Sequence, residues 1–210
     1  MKTGYKEIDD ISAGPLDNAI NILLCDNPYG KTVFISKIIT EILKGNNYVY
    51  YIDLDTSFTV YLQANLFHIL NLEKLLVYHP NKFNLDNIIS YLCSLNKKES
   101  GVIILDSVSS IYHIFASEQK ASNVNLRLGL YLAFLQKFVV ENKFSVLITS
   151  MARSKKANQT SWVQTYSGGR VLMNKSEVVY KIIQKQKNLQ VEVIRHKKSD
   201  IENRVINISL

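Results

Sequence analysis

Three prolines and eight glycines in 210 residues leave no stretch that reads as a flexible linker, and no segment repeats or falls into low complexity. One domain spanning residues 1–210 is therefore expected. No apolar run approaches the ~20 residues of a membrane span. The opening MKTGYKEIDD carries no apolar region of the kind a secretory signal needs, so no membrane partner is expected. Cysteine is scarce. Cys25 and Cys93 lie far apart and in no metal-binding spacing, which makes a reducing, cytoplasmic compartment the simplest expectation. The four histidines, His68, His79, His113 and His196, show no metal-ligand spacing either, and no Gly-x-Ser-x-Gly elbow is present.

What is present is a composition 47% hydrophobic and 20% charged, the balance of a globular chain with a real core. The net charge of +7 is uneven. Arg153, Lys155, Lys156 and Arg170 fall in one region, and Lys181, Lys185, Lys187, Arg195, Lys197 and Lys198 follow. Such concentration suggests a polyanionic partner; a solvated basic face is the alternative.

Apolar runs rich in β-branched and aromatic residues recur at 20–25, 48–53, 75–79, 101–106 and 144–149. Runs of this kind are buried on both faces, as in a parallel sheet. Between them, 32–44, 58–70, 84–96 and 122–141 carry apolar residues near helical spacing. The alternation predicts an α/β fold, a mainly parallel central sheet flanked by helices. After residue 170 the pattern changes to strands at 176–185, 189–196 and 204–210, which predict an antiparallel extension.

The first apolar run opens into Cys25-Asp26-Asn27-Pro28-Tyr29-Gly30-Lys31-Thr32-Val33, with an amphipathic segment after it. Strand, polar loop, Gly-Lys-Thr and helix make the layout of a phosphate-binding loop. Helix N–H groups and the helix dipole favour an anion there. Lys31 can reach the β- and γ-phosphates, Thr32 can hold Mg²⁺, and Gly30 keeps a Cβ out of the way. The full pattern has glycine where this chain has Cys25, and Pro28 removes one N–H donor. A surface turn after a buried strand is the alternative. Cys25, at a helix N-terminus, stands where a thiol pKa tends to fall, and a redox role competes there with a structural one.

GVIILDSVSS places Asp106 at the carboxyl end of a buried strand, where ligands of open α/β sheets gather and a carboxylate can hold a nucleotide's Mg²⁺. In YYIDLDTSF, Asp53 and Asp55 stand at another such end, suited to orienting a water; capping of the following helix is the alternative at both places. The stretch 151–170 reads as the least regular. It sets Arg153, Lys155 and Lys156 beside the only tryptophan, Trp162, and Tyr166. Cations for phosphates and rings for bases suit single-stranded nucleic acid, against a plain surface loop anchored by Trp162.

Together these segments resemble the ATPase core of the RecA/RadA recombinase superfamily, most closely its RadB-like archaeal RadA paralogues. TGYKEIDDISAGPLDNAINILLCDNPYGKT is similar to the family's opening and phosphate loop, VYYIDLDTSF to the strand bearing its catalytic glutamate, and GVIILDSVSS to its Walker B strand. SVLITS and YSGGRVLMNKSEVVYKI resemble the strands around its DNA-binding loop, and VIRHKKSD a basic stretch near a neighbouring subunit's nucleotide. The resemblance implies ATP and Mg²⁺ as cofactors. It implies nucleotide contacts from residues 26–33, Mg²⁺ at Thr32 and Asp106, and catalytic roles for Lys31 and Asp55. It also implies contact with single-stranded DNA through Arg153, Lys155, Lys156, Trp162 and Arg170. Three departures stand out: Cys25 for glycine, Asp55 one methylene shorter than glutamate, and Met151 for a glutamine. No helical DNA-binding domain precedes the core, and no Phe-x-x-Ala polymerisation segment is present. The implied protein is an ATP-binding accessory factor of homologous recombination and DNA repair. It would assist a RadA-type recombinase or another paralogue, would hydrolyse ATP slowly, and would have oligomers open to it. The alternatives are an interaction module poor in nucleotide and a KaiC-like signalling ATPase.

Overall fold

Strands apolar on both faces need helices on both faces, and the computed structural model builds that arrangement. It describes residues 1–11, 13–66, 71–95, 100–156, 162–186 and 188–209, with backbone alone at 155, 156 and 162. In chain order the elements are α1 (Lys6–Asp9), β1 (Ile20–Cys25), α2 (Pro28–Lys44), β2 (Tyr48–Asp53), α3 (Ser57–Gln63), β3 (Leu75–Tyr78), α4 (Leu85–Cys93), β4 (Gly101–Asp106) and α5 (Val108–Phe115). Then follow α6 (Ala121–Glu141), β5 (Phe144–Lys156), β6 (Trp162–Tyr166), α7 (Gly169–Lys175), β7 (Val178–Lys185), β8 (Asn188–Arg195) and β9 (Val205–Ser209).

The sheet runs β3-β2-β4-β5-β1-β7-β8-β9. Pairings from β3 to β7 are parallel, and β7–β8 and β8–β9 are antiparallel, as the sequence predicts. Alternate residues feed two cores. Leu23, Tyr51, Ile104 and Leu147 pack under α2 with Phe34, Ile35, Ile38 and Ile39. Ile22, Ile52, Ile103 and Ile148 pack on the other side with Ile89, Ile111, Leu128, Leu132 and Leu172. Each such side chain, fully buried, contributes about 1.5–3 kcal/mol.

Two local expectations are corrected. The helix after β1 starts at Pro28 rather than residue 32, so only Asp26 and Asn27 separate strand from helix. Asn27 is its N-cap and Pro28 its first residue, a pairing that suits the start of a helix. The stretch 151–170 is not irregular where it is described. β5 continues to Lys156, and β6 returns antiparallel beside it, Arg153 opposite Thr165 and Lys156 opposite Trp162. This hairpin stands off the packed sheet, so it needs no continuous apolar run and leaves no periodic signal. The short helices α1, α5 and α7 escape the sequence for a related reason: few turns give few repeats. Residues 67–70 and 96, expected as helix ends, lie outside the described residues.

Gly101 opens β4 where the neighbours leave no room. A Cβ there would lie 2.6 Å from the Tyr48 carbonyl oxygen and 2.6 Å from a Phe144 ring carbon. Gly101→Ala is expected to cost about 1–3 kcal/mol by overpacking, read as a lower urea midpoint at unchanged slope.

Candidate functional site

The carboxyl ends of β2 and β4 and the middle of β5 bring their side chains to one place through register. Asp53 pairs with Asp106 across β2–β4. Leu105 pairs with Ile148 across β4–β5, which sets Thr149 beside Asp106. All three point toward α2, whose fourth residue is Lys31. The Lys31 ammonium donates to Asp106 Oδ1 at 2.6 Å and to Asp55 Oδ2 at 3.0 Å. Lys31 and Asp106 are both fully buried, and Asp55 is half-buried.

Asp106 is saturated. Its Oδ1 also accepts from Thr149 Oγ1 at 2.6 Å, and its Oδ2 accepts from the Tyr51 hydroxyl. Burial works against the Lys31 charge, but Asp106 and then Asp55 outweigh it and hold its pKa above the ordinary lysine value. Burial pushes Tyr51 well up, and Asp106 adds to this, so the phenol stays a donor. Taking two charges out of water is expensive, and this pair is sustained by the extra bonds from Tyr51 and Thr149.

Asp53 does what the capping alternative holds. Its Oδ2 accepts from the Thr59 N–H (2.9 Å) and hydroxyl (2.6 Å) in the first turns of α3, while Oδ1 has no hydrogen-bond partner. Burial raises its pKa; the Thr59 bonds oppose this, and Asp106 and Asp55 reinforce it. Asp55 accepts from the Ser57 N–H at 3.3 Å and also reaches Lys31, so capping and site roles coexist there. Carboxylate oxygens of Asp53, Asp55 and Asp106 lie within 4.8 Å of one another, a metal-ligand spacing, but the Lys31 ammonium already bonds two of the three.

The start of α2 is closed. Asn27 Oδ1 accepts from the Gly30 N–H, and the Asn27 carbonyl accepts from the Lys31 N–H, both at 3.1 Å. Pro28 has no N–H. The Asp26 N–H donates to the Ile182 carbonyl, and Asp26 Oδ1 accepts from the Gln184 N–H. Thr32 Oγ1 donates back to the Pro28 carbonyl at 2.8 Å. Tyr29 is exposed and edge-on to Tyr61, and Val33 is half-buried. Gly30 faces β7–β8: a Cβ there would lie 3.0 Å from Leu189 Cδ2 and 3.5 Å from Gln184 Oε1. In this arrangement the residues do not fit a nucleoside triphosphate and its metal, because the Lys31 ammonium, the Thr32 hydroxyl and the N–H groups of Gly30 and Lys31 are committed within the chain. Of the two roles open to Cys25, the structural one holds. It is packed in the core, where burial pushes its thiol up despite the nearby helix.

Arg153 and Arg170 come together. They line a cleft of about 540 Å³ with Tyr112, Asn125 and Tyr166, at the base of the β5–β6 hairpin. Arg153 donates to the Ser109 carbonyl at 3.0 Å and lies 5.7 Å from the Tyr112 ring centre. Lys155, Lys156 and Trp162 are placed on the hairpin by register, and their side chains lie outside the described residues. The later basic group is partly tied up. Lys181 pairs with Glu192 at 3.7 Å, and Arg195 donates to the Met173 and Ser176 carbonyls. Lys185, Lys197 and Lys198 are exposed, and Lys187 and His68 lie outside the described residues. Met151 pairs with Cys25 across β5–β1, and its N–H donates to Ser109 Oγ. Sequence reasoning missed Tyr51, Thr149, Tyr112 and Asn125. Tyr51 stands two positions before Asp53, on the same face of its strand, and that alternation was the available signal.

Two expectations follow from the burial of these groups. Native protein is expected to react with a thiol reagent at Cys93 alone, whose half-buried thiol is raised only to about 11, and at both cysteines once unfolded. A stoichiometry near two in native protein would contradict the packing of Cys25. Asp53→Asn is expected to raise stability near neutral pH. A carboxyl with a raised folded pKa penalises the fold above that pKa, and the penalty disappears as pH falls below the unfolded value. The gain of the variant over wild type should therefore shrink between neutrality and the ordinary carboxylate range, measured by thermal melts across pH.

No protein-family model matches the sequence, and no curated protein matches it. Solved structures do: 604 chains match, a breadth that marks an architecture rather than an activity. One carries the description "Crystal structure of the RadB recombinase". It aligns with a TM-score of 0.72 over 99% of this chain and 94% of its own, at 14% identity. Among the described residues, no helix is long and apolar enough to cross a membrane. The chain has a RecA-like fold, with a mainly parallel sheet extended by antiparallel strands at its carboxyl end.

Proposed function

We propose that this chain is an accessory protein of homologous recombination and DNA repair. It holds single-stranded DNA against the β5–β6 hairpin and assists a RadA-type recombinase or another paralogue. The observation that carries the reading is the convergence of Arg153 and Arg170 on one cleft beside Tyr112 and Tyr166, under a hairpin that bears Lys155, Lys156 and Trp162. Guanidinium groups serve phosphate oxygens, and the rings offer faces to bases, each stacked base being worth roughly 1–3 kcal/mol. The net charge of +7 supports a polyanionic partner, and the fold is shared with a recombinase.

Binding of ATP with Mg²⁺ is the second reading. The observation favouring it is that Lys31, Thr32, Asp55 and Asp106 gather at the carboxyl ends of parallel strands. It requires Lys31 to exchange two carboxylates for phosphate and the first turn of α2 to open. A signalling ATPase on the same fold would have no use for the basic hairpin.

Trp162 is the only tryptophan, so stacking of a base on it has a direct readout in fluorescence quenching. Titration with a short single-stranded oligonucleotide is expected to quench the signal. The log of the affinity should fall linearly with log salt, by about 0.7 for each phosphate neutralised. Lys155→Ala with Lys156→Ala should weaken binding and flatten that slope by about 1.4, and Arg170→Ala by about 0.7. No binding at low salt, or an unchanged slope in the double variant, would reject the assignment.

A further inference from the structure

We infer that Lys31 is the resident cation of the site at the carboxyl ends of β2 and β4, and that the chain folds and works without a nucleotide. The ammonium fills the place between Asp106 and Asp55 that a nucleotide's metal would otherwise neutralise.

Several contacts require this together. Lys31 spends two of its three donors on carboxylates that have no other cation beside them among the described residues. Asp106 accepts from Lys31, Thr149 and Tyr51, which leaves little capacity for the waters of a hydrated metal. The N–H groups of Gly30 and Lys31 end on Asn27, and Leu189 and Gln184 stand over Gly30. Drawing Lys31 out to a phosphate would break its bonds to Asp106 and Asp55 and leave Asp106 a buried carboxylate with no cation beside it, held only by Thr149 and Tyr51.

The sequence supplies the cause. Cys25, standing where the phosphate-loop pattern has glycine, is packed in the core beneath α2, and Pro28 is the first residue of that helix. Asn27 and Pro28 start the helix early and consume the residues that an open loop would need. Asn27, at a position the phosphate-loop pattern leaves open, accepts the Gly30 and Lys31 N–H bonds that close the turn.

The test is a thermal melt of the full chain with and without millimolar ATP and Mg²⁺. The midpoint of wild type is expected to stay where it is. A ligand of micromolar affinity at that concentration would raise it by on the order of 10 °C, and such a rise overturns the inference. Lys31→Ala is expected to lower the midpoint without nucleotide by on the order of 10 °C, because it strands a buried charge. Lys31→Met combined with Asp55→Asn and Asp106→Asn should recover most of that loss. An unchanged midpoint in Lys31→Ala also overturns the inference, since an open, nucleotide-ready lysine contributes nothing to the empty fold. If Lys31→Ala yields no folded protein, the wild-type melts decide alone. Neither readout involves DNA, so failure here leaves the nucleic-acid reading standing.

Discussion

A single ammonium group buried against Asp106 ties together parts of the chain that are otherwise joined by backbone ladders and apolar packing. α2 contributes Lys31, β4 contributes Asp106, the turn after β2 contributes Asp55, and β2 and β5 contribute Tyr51 and Thr149. A buried ion pair is sustained by further hydrogen bonds to its members, and here Tyr51 and Thr149 supply two to Asp106. The rest of the site follows from this pair. Beside it the first turn of α2 is complete, and Gln184 of β7 and Leu189 of β8 stand against Gly30.

The sheet was legible because its strands are buried on both faces and so appear as unbroken apolar runs: INILLC, YVYYID and GVIILD coincide with β1, β2 and β4. The site was half legible. Lys31, Asp55 and Asp106 are polar residues at the ends of apolar runs, and such places invite a functional reading. Their bonding was not legible, because it depends on register. Nothing local to Thr149 says that it stands beside Asp106. The early start of α2 was written in Asn27-Pro28, a cap followed by a first-turn proline, but Gly-Lys-Thr drew the helix boundary toward itself. The hairpin of β5 and β6 was hidden because a ribbon exposed on both faces has no hydrophobic period to display.

The two candidate regions share β5 but differ in kind. The cluster around Lys31 is largely buried and sets one ammonium among three carboxylates, whereas the cleft at Arg153 and Arg170 is open and keeps Arg170 exposed. A RecA-like architecture accommodates both, since its chemistry lies in residues at strand ends and in connections rather than in the sheet itself.

β5 spans both regions as one strand of 13 residues. Thr149 lies along it at the buried cluster, and Arg153 and Lys156 lie further on in the hairpin, with no loop between. A tug on the hairpin along the strand axis is therefore delivered straight into the middle of the sheet, where β1 and β4 grip β5 from either side. Those rungs share the load together instead of parting one at a time. The hairpin is thus an outward continuation of a central beam, and strain along its axis meets rungs on both sides of β5.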